Sequence, residues 1–243
     1  MIPDWQLPPG TDRGSWEYIS SERLAREYDE ALAGTPLLQL DLRFAAEHFS
    51  KPGKLVDLGC GTGRLALAFA ERGYDCLAID LSRPMLDIVE QHARAKGLTL
   101  PTLQANLVEL EPIGANEFDY GACLFSTLGM IRGRDNRRTF LKHVKRILKP
   151  GGIFVLHAHH LGYRFGRNLG KPGTEKGDRT MPQHRGGPDL TLHHFTRREL
   201  LDDLTQAGFQ IREWRPVSEK PDGEVQGFFK SAKTYGFLVA AVA

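Results

Sequence analysis

The stretch Val56-Asp57-Leu58-Gly59-Cys60-Gly61-Thr62-Gly63-Arg64 decides how this chain folds. Residues 54–57 are a short, mostly apolar run leading into the glycines, which predicts a strand. Residues 64–72 predict a helix, closed by Gly73 at the left-handed position past its end. Gly59, Gly61 and Gly63 therefore fall between a strand and a helix. Glycine permits positive φ and lets backbone approach a ligand closely. The helix that follows offers unpaired N–H groups to negative charge. A glycine pattern in this setting is far more specific than one found alone. A dinucleotide loop wants glycines at its first, third and sixth positions. Here the sixth position is Arg64, and the third glycine comes early, at Gly63. That spacing argues against a nicotinamide cofactor, for which the later glycine lets the helix pack close to the strand.

Working outward, residues 76–80 predict a second strand ending on Asp80, 17 positions after Gly63. A carboxylate there can accept from both hydroxyls of a ribose. Residues 84–96 predict a helix with Ser82 as N-cap and Gly97 as stop. Residues 102–105, 118–125 and 153–157 predict three more strands, and residues 134–148 a helix halted by Pro150-Gly151-Gly152. This alternation implies a mostly parallel sheet with helices on both faces. Upstream, residues 1–15 predict an irregular arm, and residues 16–49 two helices broken near Gly34-Thr35-Pro36. The rhythm stops over residues 161–192, which hold six Lys or Arg, three Asp or Glu and three Pro, and predict an irregular segment. Residues 196–207 then predict a helix, and residues 209–217 and 235–242 a closing antiparallel pair.

Asp57-x-Gly-x-Gly-x-Gly and Ile79-Asp80-Leu81-Ser82-Arg83-Pro84-Met85-Leu86 resemble the first two motifs of class I S-adenosylmethionine-dependent methyltransferases. Phe118-Asp119-Tyr120 through Phe125-Ser126 is similar to the family's fourth strand, and Leu148-Lys149-Pro150-Gly151-Gly152 to the turn before its fifth. The likeness covers residues 50–160 firmly and 193–243 loosely. It implies an α/β fold, a Rossmann-like three-layer sandwich around a mostly parallel seven-stranded sheet with a C-terminal antiparallel strand. It also implies a single domain: arm and lid helices over residues 1–49, a cofactor-binding core over 50–160, an insertion covering substrate over 161–192, and the end of the sheet over 193–243.

The same resemblance implies S-adenosyl-L-methionine as methyl donor and S-adenosyl-L-homocysteine as product. Asp57, Gly59, Cys60, Gly61 and Gly63 would wrap the methionine part. Asp80 would bind ribose, and Leu81 and Met85 would flank adenine. Asn106 and Leu107 would meet the adenine amino group, where family members often carry an acidic residue. The Asn106 amide oxygen can play that part, or the residue simply caps a loop. Phe125, and Tyr28 or Tyr18 on the lid helices, would complete the site.

Composition fits one α/β domain: 243 residues, 41% hydrophobic and 26% charged. A net charge of +2 lacks the imbalance of a dedicated nucleic-acid binder, although a local patch can hide in that average. Three cysteines without a CxxC spacing argue against a disulfide framework or structural zinc, and no metal ligands are expected. The first residues lack the basic start and apolar run of a signal peptide, and no apolar run is long enough to span a bilayer. The expected location is cytoplasmic, with no membrane partner.

Methyl transfer from a sulfonium is an in-line displacement, so few catalytic groups are required. Phe125-Ser126-Thr127-Leu128 lacks the Asn/Asp-Pro-Pro-Tyr/Phe pattern of amino-base methylation. Cys123 lies inside a strand, away from a nucleophile's place, and no carboxylate follows the fourth strand before Asp135 to hold a metal. His157, His159 and His160 at the end of the fifth strand remain as candidate bases, with structural hydrogen bonding as the alternative. Alternation puts His157 and His159 on one face and His160 on the other. His193 and His194 can return to the same edge. The expected acceptor is an oxygen or nitrogen of a small molecule. The basic residues Arg164, Arg167, Lys171, Lys176, Arg179 and Arg185 keep a tRNA-directed enzyme as an alternative. The sparse catalytic pattern keeps a non-enzymatic S-adenosylmethionine-binding protein as a third.

Overall fold

The computed structural model describes residues 2–167, 169–182 and 186–243; Arg185 lies outside them. Among the described residues three α-helices precede the sheet, not two: α1 (Arg13–Ile19), α2 (Glu22–Leu32) and α3 (Leu37–His48). The extra break comes at Ser21, which is extended and whose side chain accepts from the Leu24 N–H, so a new helix starts there. The sequence continues with β1 (Lys54–Leu58), α4 (Arg64–Ala70), β2 (Asp75–Asp80), α5 (Arg83–Ala95), β3 (Thr102–Gln104), β4 (Phe118–Cys123), α6 (Thr127–Met130), α7 (Arg134–Ile147) and β5 (Leu148–His159). After β6 (Lys171–Pro172), β7 (Asp178–Met181) and β8 (Leu190–His193), the chain ends through α8 (Arg197–Gln206), β9 (Gln210–Val217), α9 (Lys230–Lys233) and β10 (Gly236–Val242).

Among the described residues seven strands form the main sheet, in the order β3-β2-β1-β4-β5-β10-β9. The first five are parallel, and β10 runs antiparallel to both neighbours. Strands covered on both faces need apolar residues at every position. Val56 and Leu58 accordingly pack toward Phe140 of α7 and Leu200 of α8. Leu55 and Ala78 pack on the other face with Phe44 of α3, Leu65 of α4 and Val89 of α5. These are the three layers of a Rossmann-like sandwich. The chain leaves β1 toward β2 and β3, then crosses back to β4 on the opposite side. That reversal opens a crevice at the carboxyl ends of β1 and β4, where open α/β sheets bind ligands.

Two boundaries differ from expectation. The fourth strand ends at Cys123 because Phe125 (φ 51°) and Ser126 (φ 64°) are left-handed and cannot continue it. The fifth begins at Leu148, which pairs with Phe118 before the register shifts. The segment expected to be irregular carries a small antiparallel sheet, in which Arg179 faces Leu192 and Lys171 faces Thr180. Strands of two to four residues between glycines and prolines leave no periodicity to read. No helix among the described residues is long and apolar enough to cross a membrane.

Candidate functional site

The glycine loop leaves β1 at the crevice. Gly59 sits at φ 74°, and a Cβ there would come within 2.3 Å of the Thr127 methyl. Only glycine therefore lets β1 turn this close to α6. Gly61 sits at φ 55° with the Tyr28 ring 3.6 Å from the position of a Cβ. The Gly61 N–H donates to Asp80 Oδ2 at 2.8 Å, and the Ser82 N–H donates to Asp80 Oδ1 at 2.8 Å. Each Asp80 oxygen thus keeps a lone pair for another donor. Burial raises the Asp80 carboxyl above its ordinary range, against the pull of these backbone donors. Asp57 is buried too; its Oδ2 accepts from the Ala66 N–H at 3.2 Å, and burial pushes it up to about 7.

A cavity of about 300 Å³ runs from this loop to the end of β5, a size suited to small molecules. Asp57, Gly59, Cys60, Gly61, Asp80, Leu81, Met85, Asn106, Leu107, Phe125 and Tyr28 all line it. Gly63 does not: it caps α4 at φ 82°, its α-carbon turned toward Val89, and serves helix packing instead. Tyr18 joins Tyr28 on the wall, whereas Trp16 does not. Burial raises both tyrosine hydroxyls, with Arg64 pulling Tyr28 the other way. Asn106 Oδ1 accepts from the Val108 N–H at 3.1 Å, and its Nδ2 donates to the Pro9 carbonyl and to Glu109. Asn106 is therefore a loop cap that also faces the cavity.

The three candidate histidines part company. The Ser126 N–H donates to the His157 carbonyl at 3.1 Å, and the Ser126 hydroxyl accepts from the His159 N–H at 3.3 Å. The strained turn after β4 thereby fixes the end of β5. His159 lines the cavity, and its buried Nε2 has no hydrogen-bond partner. Burial, then His157 and His194, hold its pKa well below the usual imidazole value, so the ring is neutral. His157 is fully buried behind it, with Nδ1 2.7 Å from Asp41 Oδ1. His160 points to the opposite face, against Phe237 and the Thr234 carbonyl. Of the three, His159 lines the cavity, and His157 and His160 do not. His194 returns to this edge, 5.7 Å from His159 between ring centroids, and burial lowers it to about 4.

His193 instead joins an ion cluster with Asp178 at 2.8 Å and Glu199 at 2.9 Å. Glu175, Asp178 and His193 lie close enough to share a cation. Arg132 already pairs with Asp178, and Arg137 with Glu175 at 2.6 Å, so the cluster is balanced by arginines.

Several lining residues escaped sequence reasoning. Arg64 sits 6.0 Å from the Tyr28 ring centroid and 5.8 Å from that of Phe125, with a buried Nε lacking a partner. Asp41 lines the cavity from α3. It belongs to the buried stripe Leu37, Leu40, Asp41, Phe44, Ala45, His48, and a lone carboxylate in such a stripe is the signal that would have found it. Leu190 and Leu192 of β8 form an apolar wall.

Residues 56–156 match a family described as a methyltransferase domain. A ubiquinone biosynthesis O-methyltransferase from Methylococcus capsulatus is 36% identical over 114 residues, 46% of either chain. A protein of the same description from Acinetobacter baylyi is 27% identical over 81% of this chain and 82% of its own. The chain spans about half the length of the first of the curated relatives it matches. Among solved structures, a S-adenosylmethionine-dependent methyltransferase from Methanosarcina mazei superposes with a TM-score of 0.68 at 25% identity, over 81% of this chain and 94% of that one. With the glycine loop, the buried Asp80 and the sheet order already described, these likenesses identify residues 56–156 as a methyltransferase domain on a class I S-adenosylmethionine-dependent methyltransferase fold.

Proposed function

We propose that this protein transfers the methyl group of S-adenosylmethionine to a hydroxyl oxygen of an apolar small molecule. The observation that carries the reading is one cavity running from Asp80 to His159, a histidine whose buried Nε2 has no hydrogen-bond partner. The residues fit the donor. Asp80 keeps one lone pair per oxygen for the two ribose hydroxyls. Leu81 and Met85 would flank adenine, and Arg64 would meet the methionine carboxylate. Bound there, S-adenosylmethionine supplies a methyl group already activated by its sulfonium.

The chain then has to hold the acceptor oxygen in line and take its proton. His159 Nε2 accepts a hydrogen bond from the acceptor hydroxyl. His159 Nε2 would take the proton that the hydroxyl loses as its oxygen is methylated. The oxygen grows strongly acidic as it takes the methyl, so a weakly basic imidazole suffices. The walls that meet the acceptor, Leu38, Leu42, Leu190 and Leu192, select an apolar body. Both named relatives are O-methyltransferases, which supports oxygen over nitrogen.

The test is S-adenosylhomocysteine production with a panel of phenols and other apolar alcohols. Turnover is expected with a hydroxylated acceptor. His159→Asn should lower kcat by roughly 100-fold, the scale of general acid–base catalysis, while calorimetric affinity for S-adenosylhomocysteine holds. Asp80→Asn should instead weaken that affinity by about 100-fold, two charge-assisted hydrogen bonds being affected. Methylation confined to tRNA, or tight binding without turnover on any acceptor, overturns the reading.

A further inference from the structure

Three phenylalanine rings stand in solvent where two distant segments meet. Phe228 is 88% exposed, Phe229 72% and Phe165 66%. Phe165 belongs to the 3-10 turn Tyr163–Gly166, and Phe228 and Phe229 precede α9. The rings of Phe165 and Phe229 lie 5.7 Å apart between centroids. Arg164 (φ 48°), Phe165 (φ 56°) and Phe229 (φ 57°) are all left-handed, a conformation that residues with a Cβ resist. The backbone is thus bent at unfavourable positions, and two of the exposed rings sit on them. Strain of this kind persists where surrounding structure imposes it, and it clusters at functional surfaces.

Within the two segments that carry the rings, the charge has one sign. Residues 161–171 contain Arg164, Arg167 and Lys171 and no acid; residues 225–235 contain Lys230 and Lys233 and no acid. Glu219 is engaged by the Tyr163 hydroxyl and lies 3.5 Å from Arg164. Arg167, Lys171, Lys230 and Lys233 are exposed. Aromatic rings settle at the headgroup level of a bilayer, and exposed cations are drawn to anionic lipid. We propose that residues 163–167 and 227–233 form a docking surface for an anionic lipid membrane. The attachment is peripheral, since no described helix is long and apolar enough to cross. The Tyr163 ring meets that of Tyr235 edge-on at 5.2 Å, and Tyr235 lies 4.7 Å from His159, so the patch is on the His159 side of the molecule. The proposal does not depend on methyl transfer.

The experiment is co-sedimentation of the full chain with phosphatidylcholine vesicles, with and without phosphatidylglycerol. Wild type should bind the anionic vesicles at least tenfold more tightly, and added salt should weaken binding. The triple variant Phe165→Asn, Phe228→Ser, Phe229→Asn should lose about tenfold or more, and Arg167→Gln with Lys230→Gln should lose the preference for anionic lipid. Asparagine tolerates the left-handed backbone, so the triple variant should melt as wild type does and still bind S-adenosylhomocysteine. Equal sedimentation of wild type and the folded triple variant, or no binding to either vesicle, overturns the proposal. So does a concentration-dependent dimer that the triple variant abolishes, since that assigns the patch to a second copy of the chain.

Discussion

Burial lifts the Asp57 carboxyl from its ordinary 3.8 to about 7. Between those values the folded protein holds a proton that the unfolded chain releases, so stability falls as pH rises through the window. Above about 7 both states are ionised, and the full cost of the buried charge, up to about 4 kcal/mol, is present. Asp57→Asn keeps an oxygen for the Ala66 N–H and removes the charge. Chemical denaturation should show a flatter pH dependence between 4 and 7, and a variant more stable than wild type by roughly 1–3 kcal/mol at pH 8. Some slope should remain, because burial raises Asp80 in the same direction. Identical slopes for the two proteins would dismiss the charged Asp57 as its source. Asp80 was legible in the sequence because it follows a predictable strand at a telling distance from the glycines. Asp41 showed only as a lone carboxylate in an apolar stripe, and its link to His157 could not be read, because it spans two elements far apart in the chain.

At the scale of elements, Ser82 joins two tasks. Its hydroxyl accepts from the Met85 N–H at 3.3 Å, capping α5, and donates to the Ile19 carbonyl at the end of α1. Ser82→Ala removes the cap, worth about 1 kcal/mol, and also leaves the Ile19 carbonyl without this donor. The melting temperature should fall by about 2–4 °C for each kcal/mol lost. Amide exchange should accelerate in residues 13–20 ahead of the sheet; unchanged exchange there would refute the tether. The cap itself could be read from Ser-x-Pro before an apolar run. The tether could not, since nothing local marks where α1 lies over α5. The elements missed share one cause: α1 and α2 differ only by a two-residue break, and β6, β7 and β8 are too short to show alternation.

At the scale of the whole molecule, Arg132 ties three regions together. It pairs with Asp178 on β7 and lies 3.4 Å from Asp12, the N-cap of α1. Asp178 is fully buried, so Arg132→Met leaves it with His193 as its nearest compensating partner. Breaking such a buried pair costs about 3–5 kcal/mol. The loss should appear as local opening, with faster exchange in residues 171–182 and 10–20 while β1 and β4 stay protected. Exchange rising uniformly through the sheet would show that the arm and insertion are not a separate unit.

The parallel sheet, its glycine loop and the strand-end Asp80 are legible along the chain, because each rests on local periodicity, turn chemistry and spacing. That His159 faces the cavity, that Gly63 turns away from it, and that Asp41, Arg64, Leu190 and Leu192 come to its wall became visible in the folded chain alone. Those facts depend on how distant elements pack across the crevice, and packing of that kind leaves no trace in the order of residues along one segment. The loop VDLGCGTGR forms one end of the cavity; the approach of α3, β5 and β8 shapes the other end.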